Sequence, residues 1–255
     1  MKNKAILVVS YGTSHKEAME KSIEAIEKRI QEEFQEYKIY RAFTGKRGIK
    51  KLSQTGTAVM TLAEALERMK KDGIQELVVQ PTYVTNGIEN EKMIEKVRAA
   101  SEEFQSITIG KPLLNDWKDC RELSQIVAKE CVAEKNEILM LMAHGTKGGN
   151  HLMYLKLEEI WKDMGHENIV IGTMKGIPSF EDAKNQLENL DAKKIILQPF
   201  MIVAGEHAKK DMAGKEDSWK CELEKKGYKV ECHMKGLGEL SKVQEMFVRH
   251  IKEVI

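Results

Sequence analysis

Short apolar runs alternate with longer amphipathic stretches along the whole chain. The runs are Ala5–Ser10, Lys38–Ala42, Glu76–Pro81 and Ser106–Gly110, then Glu137–Ala143, Asn168–Thr173, Lys193–Pro199 and Lys229–His233. Most of them are continuously apolar rather than alternating, the pattern of parallel strands covered on both faces. Between them, apolar positions at helical spacing predict helices over Lys16–Gln35, Thr57–Asp72, Glu89–Phe104, Trp117–Ala133, His151–Met164, Ser179–Asn189, Ala208–Lys226 and Glu239–Val254. Start and stop signals agree with this. Ser179 precedes Glu181 and Asp182 at one predicted N-terminus, and Asp72-Gly73 and Lys226-Gly227 close two others where a left-handed residue is easy. Phe43–Thr55, rich in Gly and Lys, reads as a loop. The βαβα order predicts an α/β fold built on parallel sheets flanked by helices.

The second half of the chain echoes the first. Val8-Val9-Ser10-Tyr11-Gly12-Thr13 is matched by Leu141-Met142-Ala143-His144-Gly145-Thr146, and Gln80-Pro81-Thr82-Tyr83 by Gln198-Pro199-Phe200-Met201. In this alignment His144 stands where the first half has Tyr11, and His207 where it has Glu89. The two offsets, 133 and 118 residues, differ by 15, so the second copy lacks a piece corresponding to 43–55. Two similar lobes follow, 1–115 and 116–255, with the second carrying both histidines. In open parallel sheets ligands bind beyond the carboxyl ends of strands. Tyr11, Glu89, His144 and His207 all fall at or just past such ends, which predicts a cleft between the lobes.

Composition narrows the chemistry. With 41 basic and 40 acidic residues there is no bulk electrostatic reason to expect nucleic acid. No run approaches the roughly 20 apolar residues of a membrane span, and Ala5–Val9 is too short for a signal peptide. Cys120, Cys131, Cys221 and Cys232 form no CxxC pair, so reduced thiols in a cytoplasmic protein are expected. Gly145-Thr146-Lys147-Gly148-Gly149 is not a phosphate-binding GxxxxGK[ST] loop, and no nucleotide is expected.

The histidine pair is the most informative chemistry. Taken singly, His144 reads as a strand-end imidazole bonded to a nearby carbonyl, and His207 as a surface or capping residue. Together, at equivalent strand ends of one lobe, they read equally as ligands for a divalent transition metal. Two imidazoles without a strong third ligand hold an ion weakly, which suits transfer better than storage. Asp211, four residues past His207, is spaced to orient that ring from one helix face, or is a plain solvated carboxylate. Glu89 is either an N-terminal carboxylate favoured by the helix dipole, or a proton acceptor or transient metal ligand.

Four segments together, Val8–Ser14, Gln80–Glu89, Ala143–Thr146 and Ala204–Gly214 continuing through Asp217-Ser218-Trp219, resemble the anaerobic sirohydrochlorin cobaltochelatases among the class II tetrapyrrole chelatases. The resemblance runs over essentially the whole chain. It implies two α/β lobes around a cleft and ATP-independent insertion of Co2+ into sirohydrochlorin for cobalamin synthesis. His144 and His207 then handle the metal; Glu89, from its own position past a strand end, is a further catalytic candidate. Tyr11, Thr13, Ser14, Tyr83, Thr146, Met201 and Trp219 are the residues expected to meet the macrocycle. One departure stands out: the family pattern Gly-Thr-x-Glu-Gly reads Gly172-Thr173-Met174-Lys175-Gly176 here. Lys175 replaces a carboxylate of the metal site, and an ammonium repels a divalent ion and offers it no lone pair. Glu89 or Glu206 then supplies the carboxylate, or Lys175 turns toward the acidic substrate, or cobalt insertion is inefficient. Alternatives to a cobalt inserter are a chelatase for Fe2+ or Ni2+ and a non-catalytic tetrapyrrole or metal carrier.

Overall fold

The computed structural model describes residues 3–131, 134, 136–145, 152–190 and 193–255. Its eight strands are β1 (Lys4–Ser10), β2 (Lys38–Phe43), β3 (Glu76–Pro81), β4 (Ser106–Ile109), β5 (Glu137–Gly145), β6 (Ile169–Lys175), β7 (Lys194–Phe200) and β8 (Lys229–Cys232). They form two four-stranded parallel sheets of identical topology, ordered β2-β1-β3-β4 and β6-β5-β7-β8. The register repeats as well. Val8 lies opposite Gln80 and Val9 opposite Pro81 in the first sheet, and Leu141 opposite Gln198 and Met142 opposite Pro199 in the second. These are the pairs that the sequence repeat aligns, so the two halves share pairing geometry as well as element order.

The helices are α1 (Lys16–Met19), α2 (Ala25–Glu33), α3 (Lys46–Gln54), α4 (Leu62–Lys71) and α5 (Ile88–Ala99), then α6 (Trp117–Glu130), α7 (Leu152–Asp163), α8 (Phe180–Leu187), α9 (Trp219–Lys225) and α10 (Ser241–Lys252). A π-helical turn, Glu20–Glu24, joins α1 to α2. Continuous burial of Ala5–Val9 and Ile138–Ala143 explains the unbroken apolar runs: each central strand is covered on both faces. On one face of the first sheet, Leu7, Val9, Leu77 and Val79 pack with Leu66 and Met69 of α4 and Met93 and Val97 of α5. The corresponding face of the second sheet packs Met140, Met142, Val170 and Leu197 against α8 and α9. Among the described residues no helix is long and apolar enough to cross a membrane.

Three details differ from the sequence reading. Residues 46–54, read as loop, form α3; the mid-segment Gly48 weakens the helical signal by about 1 kcal/mol relative to Ala. Tertiary contacts supply what propensity lacks, with Leu52 buried and the Gly45 amide bonded to the Tyr11 carbonyl at 2.8 Å. The single helix expected over Ala208–Lys226 is broken into a π-helical turn, Ala208–Met212, and α9. Ser218 makes the break: its hydroxyl donates to the Gly214 carbonyl (2.7 Å) and accepts from the Cys221 amide (3.2 Å), capping α9.

The third difference concerns the last helix. The chain divides into two compact units, Met1–Asn115 with Ser241–Ile255, and Asp116–Leu240. The sequence reading carried the second lobe on to residue 255, whereas α10 packs on α2 and β3 of the first unit. Its Val243, Met246, Phe247 and Ile251 are buried there. Glu245 pairs with Arg29 (2.6 Å), Glu253 with Lys111 (3.0 Å), and Lys252 with Glu33.

Candidate functional site

β5 is flanked by β6 and β7, and its carboxyl end carries His144. Burial runs through Ala143 and stops there, so His144 is the first exposed residue of the strand. Gly145 follows with φ +72°, and a Cβ built on it falls 1.9 Å from the Lys175 carbonyl oxygen, so only glycine fits. His207 follows the neighbouring strand, β7. Beyond Phe200 the chain bends and enters the π-helical turn, whose Ala208 and Met212 are buried in the second core and leave His207 on the open side.

The two imidazoles meet. Their ring centroids are 5.3 Å apart with an interplanar angle of 61°. Two imidazoles bound through Nε2 to one tetrahedral ion, with bonds of roughly 2.0–2.1 Å, hold their centroids about 5 Å apart. Each Nδ1 is already engaged. His144 Nδ1 donates to the Gly145 carbonyl at 2.9 Å, and His207 Nδ1 to Asp211 Oδ2 at 2.7 Å. A carbonyl and a carboxylate only accept, so in the neutral rings the protons sit on Nδ1 and the Nε2 atoms carry the lone pairs. Metal-binding histidines are almost always oriented through the other ring nitrogen in this way, by a carboxylate or a backbone carbonyl. The protein packed around His144 disfavours its charged form and holds its pKa below the ordinary histidine value. The Gly145 carbonyl and the Asp211 carboxylate oppose that shift, and the Lys175 charge reinforces it.

The other expected residues divide between the units. In the first, Tyr11 is exposed, and Thr13 is buried with its hydroxyl accepting from the His15 amide at 3.2 Å. Ser14 is half-buried. Tyr83 bonds Thr44 through its hydroxyl (3.0 Å), and burial pushes its phenol up to about 12, with Glu89 and Tyr11 close enough to add to the shift. Tyr11, Thr44, Tyr83 and Glu89 therefore gather at one sheet end. Thr44 carried no signal in the sequence, being 39 residues from its partner. Glu89, in the first turn of α5, lies 3.7 Å from Lys92, and Glu206 lies 2.7 Å from Lys210.

In the second unit Met201 is half-buried against the core. Trp219 corrects the expectation of an open aromatic wall. It is 7% exposed, stacks on Phe180 at 4.2 Å, and reaches to 2.9 Å from where a Gly172 side chain would begin. Its indole packs in the second core, with Ala183 and Leu223 in the same cluster. Thr146 lies outside the described residues. The four cysteines are free thiols, with Cys120 and Cys131 buried. Among the described residues no three His, Cys, Asp or Glu side chains converge as a metal-holding group, so the imidazole pair stands without a third such ligand.

Known proteins bear on this site. The family described as cobalt chelatase (CbiK) matches residues 4–255. A sirohydrochlorin cobaltochelatase of Salmonella typhimurium is 31% identical over 255 residues, covering 99% of this chain and 96% of that protein. The sirohydrochlorin cobaltochelatase CbiKC of Nitratidesulfovibrio vulgaris is 25% identical over 260 residues, covering 100% and 92%. Among solved structures, SirB from Bacillus subtilis with Fe3+ aligns at TM-score 0.68 and 17% identity, covering 99% of this chain and 95% of that one. The sirohydrochlorin chelatase SirB in complex with cobalt aligns at TM-score 0.67 and 16% identity, with the same coverage. At such identities the structural likeness concerns the fold.

Proposed function

Because the chain belongs to the cobalt chelatase (CbiK) family, we propose that it inserts Co2+ into sirohydrochlorin, without nucleotide, as a step of anaerobic cobalamin synthesis. The observation that carries this reading is the His144–His207 pair, with rings 5.3 Å apart and both Nδ1 atoms occupied as donors. Names carried by relatives support the substrate, since two of them are called sirohydrochlorin cobaltochelatases.

The reaction exchanges two pyrrole N–H protons for one divalent ion. A protein that speeds it must present a partly dehydrated ion to the ring, let go of it, and accept protons. Neutral imidazoles suit the first task because two nitrogen ligands bind Co2+ without enclosing it. They suit the last because a released Nε2 is a base of about the right strength near neutrality. The surroundings that disfavour the charged form of His144 favour a free lone pair for the ion. Asp211 holds the His207 ring in one tautomer and stabilises the imidazolium formed when it takes a proton. The half-buried Met201 beside the second core offers apolar surface to a flat macrocycle.

The test is cobalt insertion into sirohydrochlorin by His144→Ala, His207→Ala and the double variant, followed spectrally. Each single variant is expected to lose about a hundredfold or more in rate, with circular dichroism unchanged because both side chains are solvent-accessible. Wild-type turnover in the double variant overturns the assignment. A spectral shift of sirohydrochlorin on binding, with no acceleration of metalation by the unaltered protein, identifies a carrier instead. Competition among Co2+, Fe2+ and Ni2+ in the same assay decides the metal.

A further inference from the structure

Lys175 closes β6 in register with Gly145, the residue after His144. The backbones press together there, since the Lys175 carbonyl fills the space in which a side chain at position 145 would begin. Lys175 therefore cannot shift along its strand without disturbing the histidine. Lys175 and His144 thus stand at the carboxyl ends of two paired neighbouring strands. Several other lysines of this unit are committed to carboxylates, among them Lys210 to Glu206 at 2.7 Å, Lys184 to Glu181 at 2.5 Å and Lys194 to Glu137 at 2.6 Å. Lys175 is exposed and makes no ion pair among the described residues. An unpaired cation beside two metal-handling imidazoles opposes the approach of a bare divalent ion. It favours an anion at the same place, and the rim of sirohydrochlorin carries eight carboxylates.

We propose that Lys175 is a positioning residue that pairs with a rim carboxylate of the tetrapyrrole and so holds the ring against the open Nε2 atoms of His144 and His207. The inference deepens the chelatase reading and rests on it for the identity of the substrate. An ammonium on a flexible stem offers three donors and no lone pair, so the side chain serves the organic substrate and not the ion. Its contribution belongs to binding of the macrocycle, before the metal is exchanged for protons. The effect then falls on KM for sirohydrochlorin, whereas a ligand's effect falls on the rate of the metal step.

Lys175→Ala, Lys175→Arg and Lys175→Glu are compared with the unaltered protein in two measurements. One is equilibrium binding of metal-free sirohydrochlorin; the other is steady-state cobalt insertion with sirohydrochlorin varied, at low and high salt. Lys175→Ala is expected to raise both Kd and KM by about three- to tenfold, the range of one charge-assisted contact partly open to water, and to spare kcat. Lys175→Arg keeps the charge and stays near the unaltered values, Lys175→Glu exceeds the alanine effect, and added salt narrows the gap. Unchanged Kd and KM in Lys175→Ala, a loss confined to kcat, or a faster rate in Lys175→Glu each overturn the proposal. Lysine-dependent binding in a protein that does not accelerate metalation removes the chelatase reading and leaves Lys175 as an anion-recognising residue.

Discussion

At His207 a four-residue spacing becomes a hydrogen bond. Asp211 reaches Nδ1 at 2.7 Å even though the turn between them is π-helical, with the Ala213 amide bonded to the Ala208 carbonyl. A wider turn of this kind is frequent at functional sites, and here it carries the imidazole while its own buried residues anchor it. Replacing Asp211 with Asn keeps the size and removes the charge, so the ring loses its fixed tautomer and its support when protonated. Asp211→Asn is expected to lower cobalt insertion about 10- to 100-fold, with the melting temperature nearly unchanged because the pair is close to half exposed. A variant with full activity would reduce the Asp211 contact to an ornament of the surface. At His144 the two sequence readings, carbonyl-bonded and metal-binding, turn out to be compatible, since the bond to Gly145 is what leaves Nε2 open.

Among elements, α8 shows how local chemistry sets a boundary. The Ser179 hydroxyl accepts from the Asp182 amide at 3.1 Å, and the Asp182 carboxylate accepts from the Ser179 amide at 2.7 Å, a reciprocal cap. Bonding from the Ser179 amide and hydroxyl holds the Asp182 carboxyl below its usual value. A depressed carboxylate adds stability that is present above its unfolded pKa, about 3.9, and is lost as pH falls through the lower folded value. Ser179→Ala is expected to cost about 1 kcal/mol at neutral pH, measured by urea denaturation, and the difference from the unaltered protein should shrink as pH is taken below about 4. A difference that grows on acidification contradicts the cap. The signal for this start was in the sequence, as it was for the helix ends at Gly73 and Gly227, whose φ values are +72° and +91°. α3 had no such signal because its glycine weakens it and its support comes from Tyr11, 34 residues upstream of Gly45.

For the molecule as a whole, α10 matters most, because it returns the chain end to the first unit. Removal of residues 241–255 strips Phe247, Met246 and Ile251 from contacts with α2 and β3. A single large core side chain deleted costs about 3–5 kcal/mol, and losing several at once exceeds the stability of an ordinary domain, about 5–15 kcal/mol. The truncated protein is expected to lose amide exchange protection in β1–β4 while β5–β8 keep theirs. Uniform loss across both sheets, or loss confined to the second, would mean that the two units do not divide as their contacts indicate.

The sequence by itself determined the strand positions, the parallel pairing and the repeat, because apolar runs, caps and the Gln-Pro landmarks are local features that any fold of this chain must honour. It also marked His144, His207 and the spacing to Asp211. Tertiary structure decided the rest. It joined α10 to the first unit, folded 46–54 into a helix, broke 208–226 at Ser218 and drew Trp219 into the core. It also set the two rings 5.3 Å apart with Lys175 beside them. These outcomes depend on which distant surfaces bury one another, and burial between residues far apart in the chain leaves no mark in the order of the residues.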